Sequence, residues 1–146
     1  MTNKTVRQIL DQKGYELHTV GAEDSVLDAL KEMAARNIGA LLVFDGQRLA
    51  GLITERDCAR KLDLMGRSAG STAVRRIMQR DPVTVTSDTT MDTCLRLMTE
   101  LRVRHLPVVD DQVIGLVSIG DVGKATISSQ RNLIDDLTSY ITGSPR

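Results

Sequence analysis

The chain has 146 residues, of which 41% are hydrophobic but only 2% aromatic, so its core must be built from aliphatic side chains and methionine. Nineteen basic residues balance nineteen acidic ones, which excludes a strong overall field that would attract nucleic acid or an anionic membrane. No apolar run is long enough to span a bilayer and the N-terminus lacks a signal peptide, so we expect a globular cytoplasmic protein of one domain or two small ones.

In chain order, the predicted elements occur twice. Each copy begins with a short amphipathic helix, followed by a strand-like segment, a long helix and a buried strand. In the first copy these elements are predicted at 5–10, 17–20, 24–37 and 40–45, and in the second copy at 73–78, 82–85, 89–101 and 105–110. We expect the long helices to start at Asp24 and Thr89. Each copy alone is marginal in size for a stable domain, so the two copies should bury a shared core through their sheets.

A second strand closes each copy and leads into a repeated motif. Residues 51–57 and residues 115–121 both contain a glycine, two aliphatic residues, a hydroxyl residue and, three positions after the hydroxyl, an aspartate. A short apolar run that begins at glycine is typical of a buried strand. We therefore expect Thr54 and Ser118 to be the N-caps of the helices that follow.

The aspartates of the motif, Asp57 and Asp121, suggest a binding role. At each helix start a hydroxyl, a carboxylate and unpaired backbone N–H groups would lie together. Such N–H groups attract phosphate, and a carboxylate there can accept hydrogen bonds from a ribose diol. A capping box without any ligand explains the same spacing, although it usually has Glu or Gln in place of the shorter Asp.

These patterns divide the chain into three parts. Residues 1–72 form the first repeat with its N-terminal helix and a connection rich in Gly and Ser, residues 73–127 form the second repeat, and residues 128–146 form a C-terminal helix and tail. The last part carries an apolar stripe that would pack on the chain itself or on a second copy: Leu133, Ile134, Leu137, Tyr140 and Ile141.

The doubled motif, with the segment Arg-His-Leu-Pro-Val-Val-Asp at 104–110, resembles a tandem pair of CBS domains, the cystathionine-β-synthase type of module. The resemblance extends over residues 5–125. It implies an α/β (α+β) fold of two β-α-β-β-α repeats that pack through their sheets with pseudo-twofold symmetry. It also implies a non-catalytic sensor of energy or stress state, with an adenine nucleotide (AMP, ADP or ATP, or else NAD or S-adenosylmethionine) bound in the cleft between the repeats.

The resemblance assigns ligand contacts residue by residue. The matching positions are Thr54, Asp57, Ser118 and Asp121 for ribose and phosphate, Arg104 and His105 beside Pro107 for phosphate, and the backbone near Val20, Ile38, Gly39, Val85, Val103 and Arg104 for the adenine. In the first repeat Gly39 and Ala40 stand where the second has Arg104 and His105. We therefore expect the two clefts to differ in affinity for phosphate-bearing ligands.

The long helices also carry more apolar residues than one packed face requires, for example Leu27 beside Leu30 and Leu97 beside Met98. The resemblance implies that two such chains pack helix to helix, so we expect a homodimer, and a protein target that reads the signal.

Catalysis is the less favoured interpretation. His105 with Cys58 or Cys94 would be a nucleophile pair, but neither cysteine has an orienting third group around it, and their spacing does not fit a metal site. The two motif aspartates would have equivalent surroundings by repeat symmetry, whereas a general acid and base need environments that separate their pKa values. We therefore predict neither an enzyme nor a metal site.

Two non-catalytic functions are alternatives to a nucleotide sensor: nucleic-acid binding and a ligand-free scaffold. The cluster Arg75, Arg76 and Arg80 lacks the interleaved aromatic residues of a nucleic-acid surface, so a solvated helix face is favoured. A ligand-free scaffold that acts by dimerisation with a partner protein stays open, because capping boxes alone would explain both motif aspartates.

Overall fold

The computed structural model describes residues 4–127, so the predicted C-terminal stripe lies outside the described residues. The strands are β1 (Thr19–Gly21), β2 (Ala40–Asp45), β3 (Arg48–Thr54), β4 (Gln79–Arg80), β5 (His105–Val109) and β6 (Val113–Ser118). The helices are α1 (Val6–Lys13), α2 (Val26–Arg36), α3 (Glu55–Met65), α4 (Met91–Leu101) and α5, which starts at residue 119 and is described to residue 127. None of the helices in the described range has the length and apolar character needed to cross a membrane.

The strands form two sheets. In the larger sheet the order is β1-β2-β3-β4, with β1 parallel to β2 and the other pairs antiparallel. The smaller sheet is the antiparallel pair β5-β6, which a parallel bridge between Val85 and Val108 extends by one residue. This mixed α+β architecture agrees with the fold class predicted from the sequence.

Strand β2 is apolar on both faces because each face has its own core to contact. Leu41 and Val43 belong to the core of the first repeat, under α2. Ala40 and Leu42 point to the opposite face, where partly buried Leu116 of β6 packs against them. The two repeats therefore meet through their sheets, as the sequence predicted.

The segment that leads into each repeat packs on the core of the other repeat. Val6, Ile9 and Leu10 of α1 lie in the core of the second repeat, whereas Val74 and Ile77 lie in that of the first. The backbone bonds are equivalent in the two places. The N–H of Val6 donates to Thr89 O over 2.9 Å, and that of Val74 donates to Asp24 O over 2.8 Å. The sequence analysis grouped each of these leading segments with the repeat that follows it, whereas in the structure each packs on the core of the other repeat.

The lead-in of the second repeat is not the amphipathic helix expected at 73–78. It forms a single 3-10 turn, Val74–Arg76. The chain is tied on both sides of this turn, since Ala73 bridges to Ser25 and Gln79 enters strand β4. Too few residues remain between these ties to wind an α-helix.

The strand expected at 82–85 is likewise reduced to one bridge, at Val85. The Val85 N–H donates to Pro107 O over 3.0 Å, and its carbonyl accepts from the N–H of Val109 over 2.8 Å. Pro82 has no N–H to add to the ladder, so pairing does not extend toward it.

The long helices begin two residues later than their expected starts at Asp24 and Thr89. Ser25 and Thr90 are the N-caps, and each accepts a hydrogen bond from a backbone N–H three residues on. Asp24 and Thr89 instead close the preceding turns, because their side chains accept from the N–H groups of Gly21 and Thr86.

Candidate functional site

The repeated motif forms two helix starts with the same local geometry. Strand β3 ends at Thr54, whose hydroxyl oxygen accepts the N–H of Asp57 over 3.0 Å at the start of α3. Strand β6 ends at Ser118, whose hydroxyl accepts the N–H of Asp121 over 3.1 Å at the start of α5. The prediction that Thr54 and Ser118 are N-caps is confirmed.

The two motif carboxylates have different partners. Asp57 Oδ2 accepts from the amide Nε2 of Gln79 over 2.7 Å. Asp121 Oδ2 accepts from the backbone N–H of Ser118 over 2.9 Å and from Lys13 Nζ over 2.8 Å. The capping box is therefore closed at Asp121, despite its short side chain, whereas Asp57 turns to a neighbouring strand.

Burial and hydrogen bonding act in opposite directions on the pKa of Asp121. Burial alone would raise the pKa of this carboxyl, but the bonds from Lys13 and Ser118 outweigh it and hold the pKa below its ordinary value. The carboxylate is thus charged and already satisfied before any ligand arrives.

Each helix start opens into a cleft between the repeats. The cleft at Thr54, here called the Thr54 cleft, has a volume of about 480 Å³ and is lined by residues 52, 54–57, 60 and 79 together with 39 and 102–105. The Ser118 cleft has a volume of about 320 Å³ and is lined by residues 116, 118 and 121 together with 13, 14, 16–18, 38–40, 42 and 105. Each cleft is thus lined by the motif of one repeat and by the residues at the start of strand β2 or β5 of the other repeat.

Most of the predicted site residues lie in these two clefts. Thr54, Asp57, Val103 and Arg104 line the Thr54 cleft, Ser118, Asp121, Ile38 and Ala40 line the Ser118 cleft, and Gly39 and His105 line both. Val20, Val85 and Pro107 are buried and line neither cleft. The structure thus brings ten predicted positions to two places.

Several cleft residues were not predicted. Arg56, inside the motif, and Arg60, three residues after its aspartate, lie one helical turn apart on α3, and this spacing could have indicated them. Arg102, next to the predicted Val103, could have been inferred in the same way. Lys13 and Gln79 carry no such sequence signal, because the fold brings them to the motifs from distant positions.

Burial shifts the pKa values of one histidine and of both cysteines. Burial lowers the pKa of the His105 imidazole, with Lys13 and Arg104 acting in the same direction and Asp121 opposing them. Burial raises the pKa of the Cys58 and Cys94 thiols to about 11, so neither is a ready nucleophile. Among residues 4–127 no group of three His, Cys, Asp or Glu residues is placed to hold a metal ion.

Comparisons with known proteins agree with this architecture. The model of the CBS domain matches residues 6–64 and again residues 74–127. A mitochondrial protein of Arabidopsis thaliana, the CBS domain-containing protein CBSX3, is 45% identical over 127 residues, which cover 83% of this chain. The chain spans 62% of that relative's length.

Two solved structures extend the comparison. A protein with CBS domains from Burkholderia ambifaria is 48% identical, with a TM-score of 0.84 over 87% of this chain and 96% of that one. The CBS domain pair of protein MJ0100, solved in complex with 5′-methylthioadenosine and S-adenosylmethionine, is 26% identical with a TM-score of 0.77 over 88% of this chain and 99% of that one.

Proposed function

Since the chain belongs to the CBS domain family and carries two copies of the domain, we propose that it is a non-catalytic regulatory module that binds an adenosine-containing ligand between its repeats. The observation that carries the proposal is that each hydroxyl–x–x–Asp helix start opens into a cleft whose other wall comes from the opposite repeat. The bound 5′-methylthioadenosine and S-adenosylmethionine of the related MJ0100 pair support this ligand class.

In this proposal the parts of the nucleotide contact different groups. The ribose hydroxyls donate to Asp57 or Asp121, and they replace the Gln79 amide or the Lys13 ammonium that now occupies the carboxylate. A phosphate lies at the start of α3 or α5, where backbone N–H groups point outward. The adenine lies against the backbone of residues 38–40 or 103–105, which line the clefts.

Titration of the purified chain tests the proposal. AMP, ADP, ATP, NAD and S-adenosylmethionine are added separately, and heat of binding and melting temperature are recorded. At least one compound should bind and raise the melting temperature, because a ligand specific for the folded state stabilises it. The recovered nucleotide should be chemically unchanged. If none of them bound at millimolar concentration, the scaffold alternative would replace this proposal. If a nucleotide were chemically converted, the chain would instead be an enzyme.

The same module is proposed to act as a homodimer. On the long helices, Leu27, Leu95 and Leu101 are 39%, 43% and 45% exposed, whereas Met98 is buried and Leu30 and Leu97 are partly covered by the cores. The exposed apolar surface is therefore smaller than the sequence suggested, but it lies on both helices expected to form the contact. A closed twofold dimer is a common way to cover such a surface.

Light scattering at tens of micromolar, with and without AMP or ATP, tests the dimer. A molar mass twice that of the chain is expected in at least one condition. A Leu95→Glu variant should lower the mass, because it places a charge in the contact, and Arg96→Gln on the same exposed helix is the matched control. A monomer in every condition would rule the dimer out.

A further inference from the structure

The Thr54 cleft gathers an excess of positive charge. Four arginines line it: Arg56, Arg60, Arg102 and Arg104. Only two carboxylates, Glu55 and Asp57, lie among them, so the lining has a formal charge of +2. Asp57 is engaged with the neutral amide of Gln79 rather than with a guanidinium group.

Within the part of the chain that the structure describes, these four guanidinium groups have no protein partners. Within residues 4–127 none of them forms a hydrogen bond or an ion pair with another residue, whereas Arg7, Arg36 and Arg75 each pair with a carboxylate at 2.9 or 3.0 Å. Four like charges around one cavity repel one another, and a polyanion between them would remove that repulsion and accept several charge-assisted hydrogen bonds.

The Ser118 cleft has the opposite balance. Lys13 is its one basic residue with a formal charge, against the carboxylates of Glu16 and Asp121, so the lining has a formal charge of −1. Lys13 is bound to Asp121 and to the carbonyl of Leu116, both at 2.8 Å. The side chains that line this cleft therefore offer a phosphate no unpaired formal cation.

Repeat symmetry shows that the fold does not require a cation at three of these four positions. The equivalent residues, counted from Ser118 and from the end of α2, are Gly120 for Arg56, Lys124 for Arg60, Asn37 for Arg102 and Gly39 for Arg104. Arg102 and Asn37 even share a left-handed backbone, with φ of 56° and 55° as C-caps of α4 and α2. The same backbone position therefore carries a cation in one repeat and a neutral amide in the other.

We infer that the clefts take different ligand classes: the Thr54 cleft binds a nucleoside di- or triphosphate, and the Ser118 cleft binds an uncharged or cationic adenosine compound. A di- or triphosphate offers these four guanidinium groups more oxygen acceptors than a monophosphate does, which favours the longer phosphate chain. This inference rests on the proposed function, since it assumes that adenosine compounds bind in the clefts.

An exchange of residues between the clefts tests the inference. The variant Arg102→Asn/Arg104→Gly gives the Thr54 cleft the residues of its counterpart, and Asn is well tolerated in a left-handed backbone. The variant Asn37→Arg/Gly39→Arg makes the reverse exchange. Among the described residues, a Cβ at position 39 would have Glu55 Oε1, at 3.7 Å, as its one neighbour within 4 Å, so the backbone there accepts a side chain. Arg96→Gln, an exposed arginine on α4 that lines neither cleft, is the control.

Calorimetric titrations of the full chain and its variants compare ATP, AMP, adenosine and inorganic triphosphate at one ionic strength. The wild type should bind ATP more tightly than AMP, and Arg102→Asn/Arg104→Gly should lose about tenfold or more in ATP affinity, a larger loss than the one it shows for adenosine. The reverse exchange should create a second ATP site. Arg96→Gln should match the wild type.

Three results would overturn the inference. The first is an ATP affinity that the loss of Arg102 and Arg104 leaves unchanged. The second is inorganic triphosphate binding as tightly as ATP, which would mean that no nucleoside is recognised. The third is an affinity for AMP and ATP no higher than that for adenosine. This result would show that the clefts do not divide their ligands by charge, although the proposed function would still hold. If no adenosine compound binds at all, the proposed function itself fails.

Discussion

The Thr54 and Ser118 clefts share their local construction and differ in what the rest of the chain brings to them. In both, a hydroxyl caps a helix and an aspartate follows three residues later. Asp57 is met by a neutral amide, whereas Asp121 is met by an ammonium group and by the N–H of its own cap. The difference teaches that a motif sets the geometry of a helix start, while distant residues set how available its carboxylate is.

This difference bears on what a ligand must displace. A ribose that reaches Asp57 replaces a hydrogen bond from a neutral amide, and a ribose that reaches Asp121 replaces an ion pair with Lys13, which is intrinsically stronger. The Lys13 side chain is 40% exposed, so solvent screens its ion pair and it can move outward at modest cost. The two clefts should therefore have unequal affinities even for the same nucleoside.

The largest expected effect concerns the glycine that opens each motif. A Cβ at Gly51 would lie 2.6 Å from the carbonyl oxygen of Gln79, a backbone atom of the paired strand, whereas at Gly115 it would lie 2.8 Å from the end of the Leu10 side chain. Gly51→Ala should lower the free energy of unfolding by about 3 kcal/mol and Gly115→Ala by about 1 kcal/mol. Urea denaturation measures both. Equal losses would show that Leu10 has no more freedom to shift than a paired strand.

Next in size is the loss of a carboxylate that we propose binds the ribose. Asp121→Ala should weaken adenosine binding by about 1.5–3 kcal/mol, because a hydrogen-bonding charged group is removed. Calorimetry is the measurement. The control is Asp92→Ala, which also removes an aspartate from a first helical turn but at neither cleft. A similar loss in both variants would contradict a direct contact at Asp121.

Removal of the N-cap hydroxyl of each cleft should have a smaller effect on stability. Thr54→Ala should cost about 1 kcal/mol of unfolding free energy, as is usual for a lost N-cap. Ser118→Ala should cost less, because Asp121 still accepts the N–H of residue 118. Thr99→Ala, where the hydroxyl donates to Leu95 O inside α4, is a control for losing a threonine hydroxyl. A larger loss of unfolding free energy for Ser118→Ala than for Thr54→Ala would show that the hydrogen bond from the N–H of residue 118 to Asp121 does not stabilise the helix start.

The smallest effect is a pH dependence from the histidine shared by the clefts. Because burial lowers the pKa of His105, the unfolded chain binds this proton more readily, so stability falls as the pH drops below the ordinary histidine value of 6.5. His105→Gln should flatten that slope in urea titrations on either side of this pH. His18→Gln, which removes the chain's other histidine, is the comparison, and an equal flattening there would contradict the assignment to His105.

Much of the fold could be predicted because its cues are local. The hydroxyl caps at Thr54 and Ser118, the apolar faces of α2 and α4 and the buried strands β2 and β5 each depend on residues within a few positions of one another. The doubling of these cues also predicted two repeats packed through their sheets. Local cues failed where tertiary ties intervened, as in the 3-10 turn at Val74–Arg76.

Only the tertiary structure decided which residues face one another across the clefts. Lys13 and Asp121 are 108 residues apart, and Asp57 meets Gln79 because β4 joins the sheet of the first repeat. The exchange of lead-in segments between the cores has the same origin, since it depends on contacts between surfaces far apart in sequence. Composition and spacing therefore determined the helix starts and their carboxylates, but the charge of each cleft depends on side chains that the completed fold brings together.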